Sequence, residues 1–282
     1  MIDWLDELKP EPGPPFATMG THALDLDRWL VVDDDRDADL ARKAELLESD
    51  MSVVFAAEPG SDAPAEELLG LIRRWLGDHR VIAPAPHGDR HPLIEAARLV
   101  QEDLAVLQRI GGAWVLTAGV VCFPTHWTIA AKVGLPLAGI HAPVAHYERE
   151  LRERVDRFHE RLTPQRPVWR RNWFVSPTSE LHLPLHACAP PVPERIEADG
   201  SPMWIRSERQ TLRRLAETDA IVFTIRVQRA PLGVLLRRPD IAAKMLAATR
   251  SWDQDKRAYT STGGALDALV DWLETVTGPQ QR

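Results

Sequence analysis

One apolar run, residues 114–123, does most to limit the folds open to this chain. It lies between Gly111-Gly112 and Pro124, and its length and composition predict two strands or one bent strand buried in a sheet. A helical crossover follows, and it ends with a charged helix over residues 144–162. Alternating segments after the crossover predict further strands at residues 168–175, 203–215 and 220–228. This order favours an α+β fold with an antiparallel sheet, and it is also the order of a PAS domain.

Amphipathic segments predict helices on both sides of the sheet-forming region. They cover residues 29–48, 63–76 and 92–109 before it and residues 239–275 after it. We therefore expect an N-terminal arm with a helical region, a PAS-like core and C-terminal helices, at residues 1–110, 111–235 and 236–282. One continuous domain is the alternative to this division.

The composition is typical of a globular protein with a substantial core. The 282 residues are 44% hydrophobic and 27% charged, and the formal net charge is −7. A net acidic chain disfavours non-specific nucleic-acid binding, because neutralising phosphates requires basic side chains. The two cysteines, Cys122 and Cys188, form no disulfide framework or metal motif, and no apolar run reaches membrane-spanning length. We therefore expect a cytoplasmic protein with no membrane or nucleic-acid partner.

Several segments resemble a known family, and they occur in order between residues 29 and 226. They are LVQEDL (99–104), LTAGVVCFPTHW (116–127), KVGLPLAGIHAPV (132–144), RVDRF (154–158), PVWRRNW (167–173), RSERQTLRRL (206–215) and VFTIR (222–226). Through them the chain resembles the haem-dependent oxidative N-demethylase alpha-subunit family. This family, long known as a domain of unknown function, is similar to dimethylamine monooxygenase subunits.

The resemblance implies a PAS-like fold that binds haem b and works as an enzyme. Such an enzyme oxidises a secondary methylamine with O2 and with electrons from a flavin and iron–sulfur reductase. The chain has two cysteines and no glycine-rich dinucleotide fingerprint. FMN and the iron–sulfur cluster are therefore expected only on partner subunits.

The sequence departs from the family pattern in four places. His126 stands where the family has Arg, and Ala145-His146 replaces Pro-Gly. The proline-rich insertion at residues 176–202 is longer, and AYTSTGG at residues 258–264 lacks a Lys-Gly-Leu element. These departures leave open which amine is used, which reductase supplies electrons and whether activity is retained.

His141 is the predicted proximal haem ligand and thus the predicted metal ligand. It lies in the helical crossover, where the resemblance implies such a ligand, within the apolar stretch IHAPV. A core histidine bonded to a backbone carbonyl is the alternative. Lys132, Trp127 and Trp173 are further candidate cofactor-binding residues. Lys132 would bind a propionate or extend to solvent, and the tryptophans would stack near the cofactor or serve packing alone.

Arg206, Glu208 and Arg226 are the candidate catalytic residues, because each lies on the polar side of an alternating strand. If those sides face the cofactor, an arginine can bind a haem propionate and a glutamate can bind or deprotonate a substrate ammonium. The alternative is a solvent-facing ladder of cross-strand ion pairs. The sequence leaves both alternatives open.

Two other functions compete with the enzyme hypothesis. A haem-binding PAS-type module without catalysis is the first, since a fold does not fix a function. A PAS-like protein without haem, with a structural or partner-binding role, is the second. Other histidines compete with His141 as well: His126 and His146 flank its segment, and the pairs His87/His91 and His182/His186 lie in predicted loops.

Overall fold

The structure is a computed structural model, and it describes residues 4–10, 12, 20–89, 91–142, 151–185, 187, 191, 193–254, 257 and 265–278. Helices lie before, within and after a seven-stranded sheet in which all neighbouring strands are antiparallel. The predicted α+β class with an antiparallel sheet is confirmed.

Five long strands form the centre of the sheet, and two short ones close its edges. The strands are β1 (His22–Ala23), β2 (Phe55–Ala57), β3 (Asp103–Ile110), β4 (Ala113–Val120), β5 (Val168–Ser176), β6 (Trp204–Arg214) and β7 (Ile221–Pro231). Their order across the sheet is β1-β5-β6-β7-β3-β4-β2. Along the chain β3 and β4 precede the crossover and β5 to β7 follow it, which is the predicted order.

The helices form three groups around this sheet. They are α1 (Arg36–Ser49), α2 (Met51–Val54), α3 (Asp62–Asp78), α4 (Pro92–Leu99), α5 (Leu137–His141), α6 (Arg152–Arg161), α7 (Pro239–Arg250) and α8 (Ala265–Thr277). Helices α1 to α4 precede the long strands, and α7 and α8 follow them. Between β4 and β5, a 3-10 helix (Ile129–Ala131), α5 and α6 make the crossover.

Two predicted helices are shorter in the structure. The helix predicted at residues 29–48 begins at Arg36, and the one predicted at residues 92–109 ends at Leu99. Val100 leaves helical geometry with φ −132° and ψ 153°, and β3 follows and pairs with both β4 and β7. An apolar segment of this length fits either a helix or a strand, so pairing with distant strands decides the outcome. Of the two alternatives predicted for residues 114–123, the single strand is the one observed, as β4.

Three apolar clusters hold the layers together. The first joins α1 to α4 to one face of the sheet, and the second joins α7 and α8 to a 3-10 helix at Trp4–Glu7. The third lies between the other sheet face and the crossover, and it includes Ile129, Leu137, Val155, Leu212 and Ile221. The predicted region boundary after residue 110 falls in the β3–β4 turn, and the division into regions stays a prediction.

Buried charges fix the point where β4 ends and the crossover begins. The carboxylate of Asp103 accepts hydrogen bonds from the backbone N–H groups of Cys122 and Phe123, at 2.8 and 2.9 Å. Burial raises the pKa of Asp103 to about 6, against the opposing effects of the Lys43 charge and of these two hydrogen bonds. The start of the crossover is therefore tied to the first residue of β3.

Arg206 anchors the same region from β6. Its guanidinium is buried and donates hydrogen bonds to the carbonyls of Phe123, Pro124, Glu180 and Leu181, at 2.8 to 3.2 Å. Burial lowers the pKa of Arg206 to about 10, while the charges of Glu208 and Asp103 oppose that shift. One side chain thus joins the segment after β4 to the segment after β5.

Replacing Gly119 tests the fit of the crossover on the sheet. A Cβ at this position would come within 2.7 Å of Ile129 Cγ1, so Gly119→Ala should push the 3-10 helix outward. We expect the free energy of unfolding, measured by urea denaturation, to fall by about 1–3 kcal/mol. The control, Gly70→Ala, changes an exposed helical glycine with open space around it and should raise stability by about 0.5–1 kcal/mol. An unchanged or increased stability of Gly119→Ala would contradict the close approach.

Removing the Arg206 guanidinium tests its role as an anchor. Arg206→Met leaves four backbone carbonyls without their donor, and we expect the free energy of unfolding to fall by about 3 kcal/mol. Arg237→Met, at an exposed arginine, should stay within about 0.5 kcal/mol of the wild type. Equal stability of the two variants in chemical denaturation would show that Arg206 does not hold these segments.

Candidate functional site

Strand register places a small polar group on the sheet face that the crossover covers. Glu208 lies directly between Asn172 and Val227, and Gln210 lies between Arg170 and Ile225. Directly opposed residues of antiparallel strands share a face. Leu212, on this same face of β6, belongs to one apolar cluster with Leu137 and Val155 of the crossover. The polar group therefore lies on the face of the sheet that also contributes to the apolar crossover cluster.

The carboxylate of Glu208 is held by two amide side chains. Asn172 Nδ2 donates to Glu208 Oε2 at 3.0 Å, and Gln210 Nε2 donates to the same oxygen at 2.8 Å. Asn172 also accepts a hydrogen bond from the Glu208 backbone N–H at 3.1 Å. The half-buried carboxylate is thus fixed against the sheet.

Arg170 brings a positive charge to this face. Its Nε is buried and has no hydrogen-bond partner among the described residues. Burial lowers the pKa of Arg170, and the negative charge of Glu208 acts in the opposite direction. A buried guanidinium with an unpaired donor suits an anionic group such as a carboxylate.

His141 approaches from the crossover, at the last residue of α5. The side chain is half-buried, and Nδ1 lies 2.8 Å from the carbonyl oxygen of Leu137. A carbonyl only accepts, so Nδ1 carries the proton and, in the neutral imidazole, Nε2 carries a lone pair. Burial lowers the pKa of His141, and the nearby charges of Lys132, His159 and Arg170 lower it further, against the hydrogen bond to Leu137.

Lys132 and Trp127 lie beside this helix. Lys132 Nζ donates to the carbonyl of Ile140 at 2.7 Å and lies 5.3 Å from the centre of the Trp127 ring. Burial lowers the pKa of Lys132. The structure therefore brings three predicted cofactor-binding residues together: His141, Lys132 and Trp127.

His159 on α6 is a second buried imidazole near His141. Its Nδ1 lies 2.8 Å from the carbonyl oxygen of Val155, and burial lowers its pKa. The sequence analysis did not single out His159, Arg170 or Asn172. The signals were present: period-two alternation in β5 places Arg170 and Asn172 on one face, and His159 shares a helical face with Val155.

Two predicted site residues lie on the other face of the sheet. Arg226 is opposite Arg209 in the register, and its guanidinium pairs with Asp33 and Asp39 at 2.8 and 2.9 Å. Trp173 packs with the C-terminal cluster, its ring centre 5.5 Å from that of Trp252. The prediction that Arg226 lines a pocket with Glu208 is wrong. The pairing of β6 with β7 places the side chain of Arg226 on the face of the sheet opposite Glu208. Trp173 is likewise apart from His141.

Arg206 shares the face of Glu208 but is engaged by backbone carbonyls, as described above. Its Nη1 and Nη2 atoms donate to carbonyls in the segments that follow β4 and β5. A catalytic role for Arg206 stays a prediction.

The remaining candidates lie elsewhere or outside the described residues. His126 is exposed and has a positive φ of 59°. Burial raises the pKa of the Cys122 thiol to about 12, which fits the prediction of a buried small hydrophobe. Ala145, His146, His186, Cys188 and residues 258–264 lie outside the part of the chain that the structure describes.

A separate cleft of about 830 Å³ opens on the face opposite Glu208. Arg171 and Arg209 line it, and the Glu7 carboxylate lies 2.6 Å from Arg171 Nη2 and 3.8 Å from Arg209 Nε. These charges are paired within the chain, and His141, Lys132 and Glu208 do not line this cleft. The cleft is therefore distinct from the candidate site.

The side chains of the candidate site fit a haem. Within the described ranges, no group of three or more His, Cys, Asp or Glu side chains is arranged to hold a metal. Haem iron takes an axial ligand from the protein, commonly an imidazole, while the ring packs on apolar surface and the propionates pair with cations. His141 can supply the first, the crossover cluster the second, and Arg170 and Lys132 the third.

A family model described as haem-dependent oxidative N-demethylase, alpha subunit-like, matches residues 73–270. The match covers well over half of the 282 residues and includes every side chain of the candidate site. None of the helices that the structure describes is long and apolar enough to span a membrane. By this match the chain belongs to the haem-dependent oxidative N-demethylase alpha subunit-like family.

Proposed function

We propose that this chain is the haem-binding subunit of an oxidative N-demethylase that acts on a secondary methylamine. The convergence of His141, Arg170 and Glu208 between the crossover and the sheet carries this proposal. This position fits the predicted PAS-like arrangement, in which a planar cofactor would lie between these two layers. The family match supports haem as that cofactor, and haem b is the form we propose.

His141 is the proposed proximal ligand. Because Nδ1 donates to the Leu137 carbonyl, Nε2 keeps its lone pair, and the hydrogen bond fixes the orientation of the ring. The lowered pKa keeps the imidazole neutral at neutral pH, and a neutral imidazole is the form that binds iron. Arg170 and Lys132 are the proposed partners of the propionates.

Glu208 is the proposed substrate-binding and proton-accepting residue. Its carboxylate can accept a hydrogen bond from a protonated amine, and it can take that proton so that the nitrogen becomes neutral. When bound, haem supplies the activation of O2 that removal of a methyl group requires. Val227 and Ile225 on β7 offer apolar surface for the methyl groups, and the fixed carboxylate orients the nitrogen.

The residues of this sequence offer no site for an electron-transfer cofactor of the reductase type. With two cysteines the sequence cannot supply the four thiolates of a typical iron–sulfur cluster, and it has no glycine-rich dinucleotide motif. We therefore propose that FMN and the iron–sulfur cluster lie on a partner reductase. The alpha-subunit description of the family supports an assembly with further subunits.

Replacing His141 tests the ligand. His141→Ala removes the proposed iron–imidazole bond, and we expect protein reconstituted with hemin to lose its Soret band on desalting. His87→Ala, at an exposed loop histidine, should retain the band, and circular dichroism should show that both variants are folded. Full haem retention with an unchanged spectrum in His141→Ala would rule out His141 as the ligand.

Replacing Glu208 tests the substrate role separately from haem binding. Glu208→Gln keeps the shape of the side chain but loses the charge that attracts an ammonium and accepts its proton. We expect the haem spectrum to remain and kcat/KM, from amine-dependent O2 consumption with a flavin reductase, to fall about 100-fold. Glu217→Gln, at an exposed turn, should leave the rate unchanged. Equal rates for wild type and Glu208→Gln would remove Glu208 from the mechanism.

A further inference from the structure

The two carboxylate oxygens of Glu208 have different surroundings. Oε2 receives hydrogen bonds from both Asn172 and Gln210, at 3.0 and 2.8 Å. No described residue donates a hydrogen bond to Oε1. The side chain is half-buried, so the carboxylate offers one saturated oxygen and one that can still accept.

The orientation of the Asn172 amide is fixed by its own bonds. The Glu208 backbone N–H can only donate, and it donates to Asn172 Oδ1 at 3.1 Å. The amide nitrogen must then face Oε2, since the oxygen position is taken. Asn172 therefore cannot rotate its amide without losing both hydrogen bonds, and it holds Glu208 in one orientation.

Gln210 adds a second constraint along the same strand. It lies two residues after Glu208, so both side chains project from the same face of β6. Its amide nitrogen donates to Oε2, the oxygen that Asn172 also binds. Two donors on one oxygen, from two different strands, restrict rotation of the carboxylate about its last bond.

We propose that Asn172 and Gln210 are positioning residues that saturate Oε2 and reserve Oε1 for one N–H of an ammonium ligand. This inference rests on the proposed function, because it takes the ligand of Glu208 to be an amine. Hydrogen bonds to a charged group are among the stronger ones in proteins, so losing one should weaken ligand binding measurably.

The same geometry restricts the class of ligand. Val227 lies directly opposite Glu208, and Ile225 lies opposite Gln210, so apolar side chains flank the carboxylate on β7. One accepting oxygen among apolar neighbours suits a small alkylammonium ion with at least one N–H and with apolar substituents. A quaternary ammonium has no N–H and cannot make this bond.

Gln210→Met is the test variant, because it keeps the length of the side chain and removes the donor. Gln165→Met, at an exposed turn, is the matched control. Two readouts are measured on the full chain reconstituted with hemin. The first is the infrared carboxylate stretch of Glu208, identified as the band that Glu208→Gln lacks. The second is the affinity for dimethylammonium chloride, and separately for tetramethylammonium chloride, by titration calorimetry.

We expect the Glu208 band to shift in Gln210→Met and the dimethylammonium affinity to fall about tenfold, with no change in the control. Tetramethylammonium should bind weakly to both proteins. An unchanged band and an unchanged affinity in Gln210→Met would overturn the proposal. A shifted band in a protein whose wild type binds no amine would support the positioning of Glu208 and count against the proposed function instead.

Discussion

The bonds made by Arg206 and Asp103 set the geometry on which the candidate site depends. Asp103 binds the backbone N–H groups of Cys122 and Phe123, and Arg206 binds carbonyls of the same segment and of residues 180–181. Burying two charges carries a large desolvation cost, and each charge offsets part of it for the other. Arg206 lies two residues before Glu208 on β6. The start of the crossover and the strand that carries Glu208 are therefore held by one anchor.

Charge is divided between the two faces of the sheet. On the face toward α1 to α4, Arg226 pairs with Asp33 and Asp39, and these bonds attach the N-terminal helices. On the crossover face, Arg170 keeps an unpaired donor and Glu208 an accepting oxygen. Buried polar atoms without a described partner occur on both faces, since Arg226 Nε is one of them. The crossover face is distinguished instead by His141 and Lys132, which lie near Arg170 and Glu208.

The sequence was sufficient for the features that local patterns encode. The α+β class and the strands β5 to β7 follow from apolar runs and alternation within each segment. Strand β3 was predicted as helix because its apolar pattern fits both structures, and only pairing with β4 and β7 decides. Arg226 and Trp173 were misplaced for a related reason. Alternation divides a strand into two sides, but the register of neighbouring strands determines which side faces the crossover.

The crossover side of the site favours neutral side chains, whereas the sheet side carries charged ones. This difference restricts the ligands that the site can bind. In the crossover, burial lowers the pKa values of His141 and His159, so it favours their neutral forms. On the sheet, Arg170 and Glu208 act on each other as opposite charges. A ligand between them meets a neutral nitrogen donor on one side and a charged pair on the other. The iron of a haem would bind the neutral nitrogen of His141, and its propionates would pair with the guanidinium of Arg170. An ammonium ion would then be the partner of the Glu208 carboxylate.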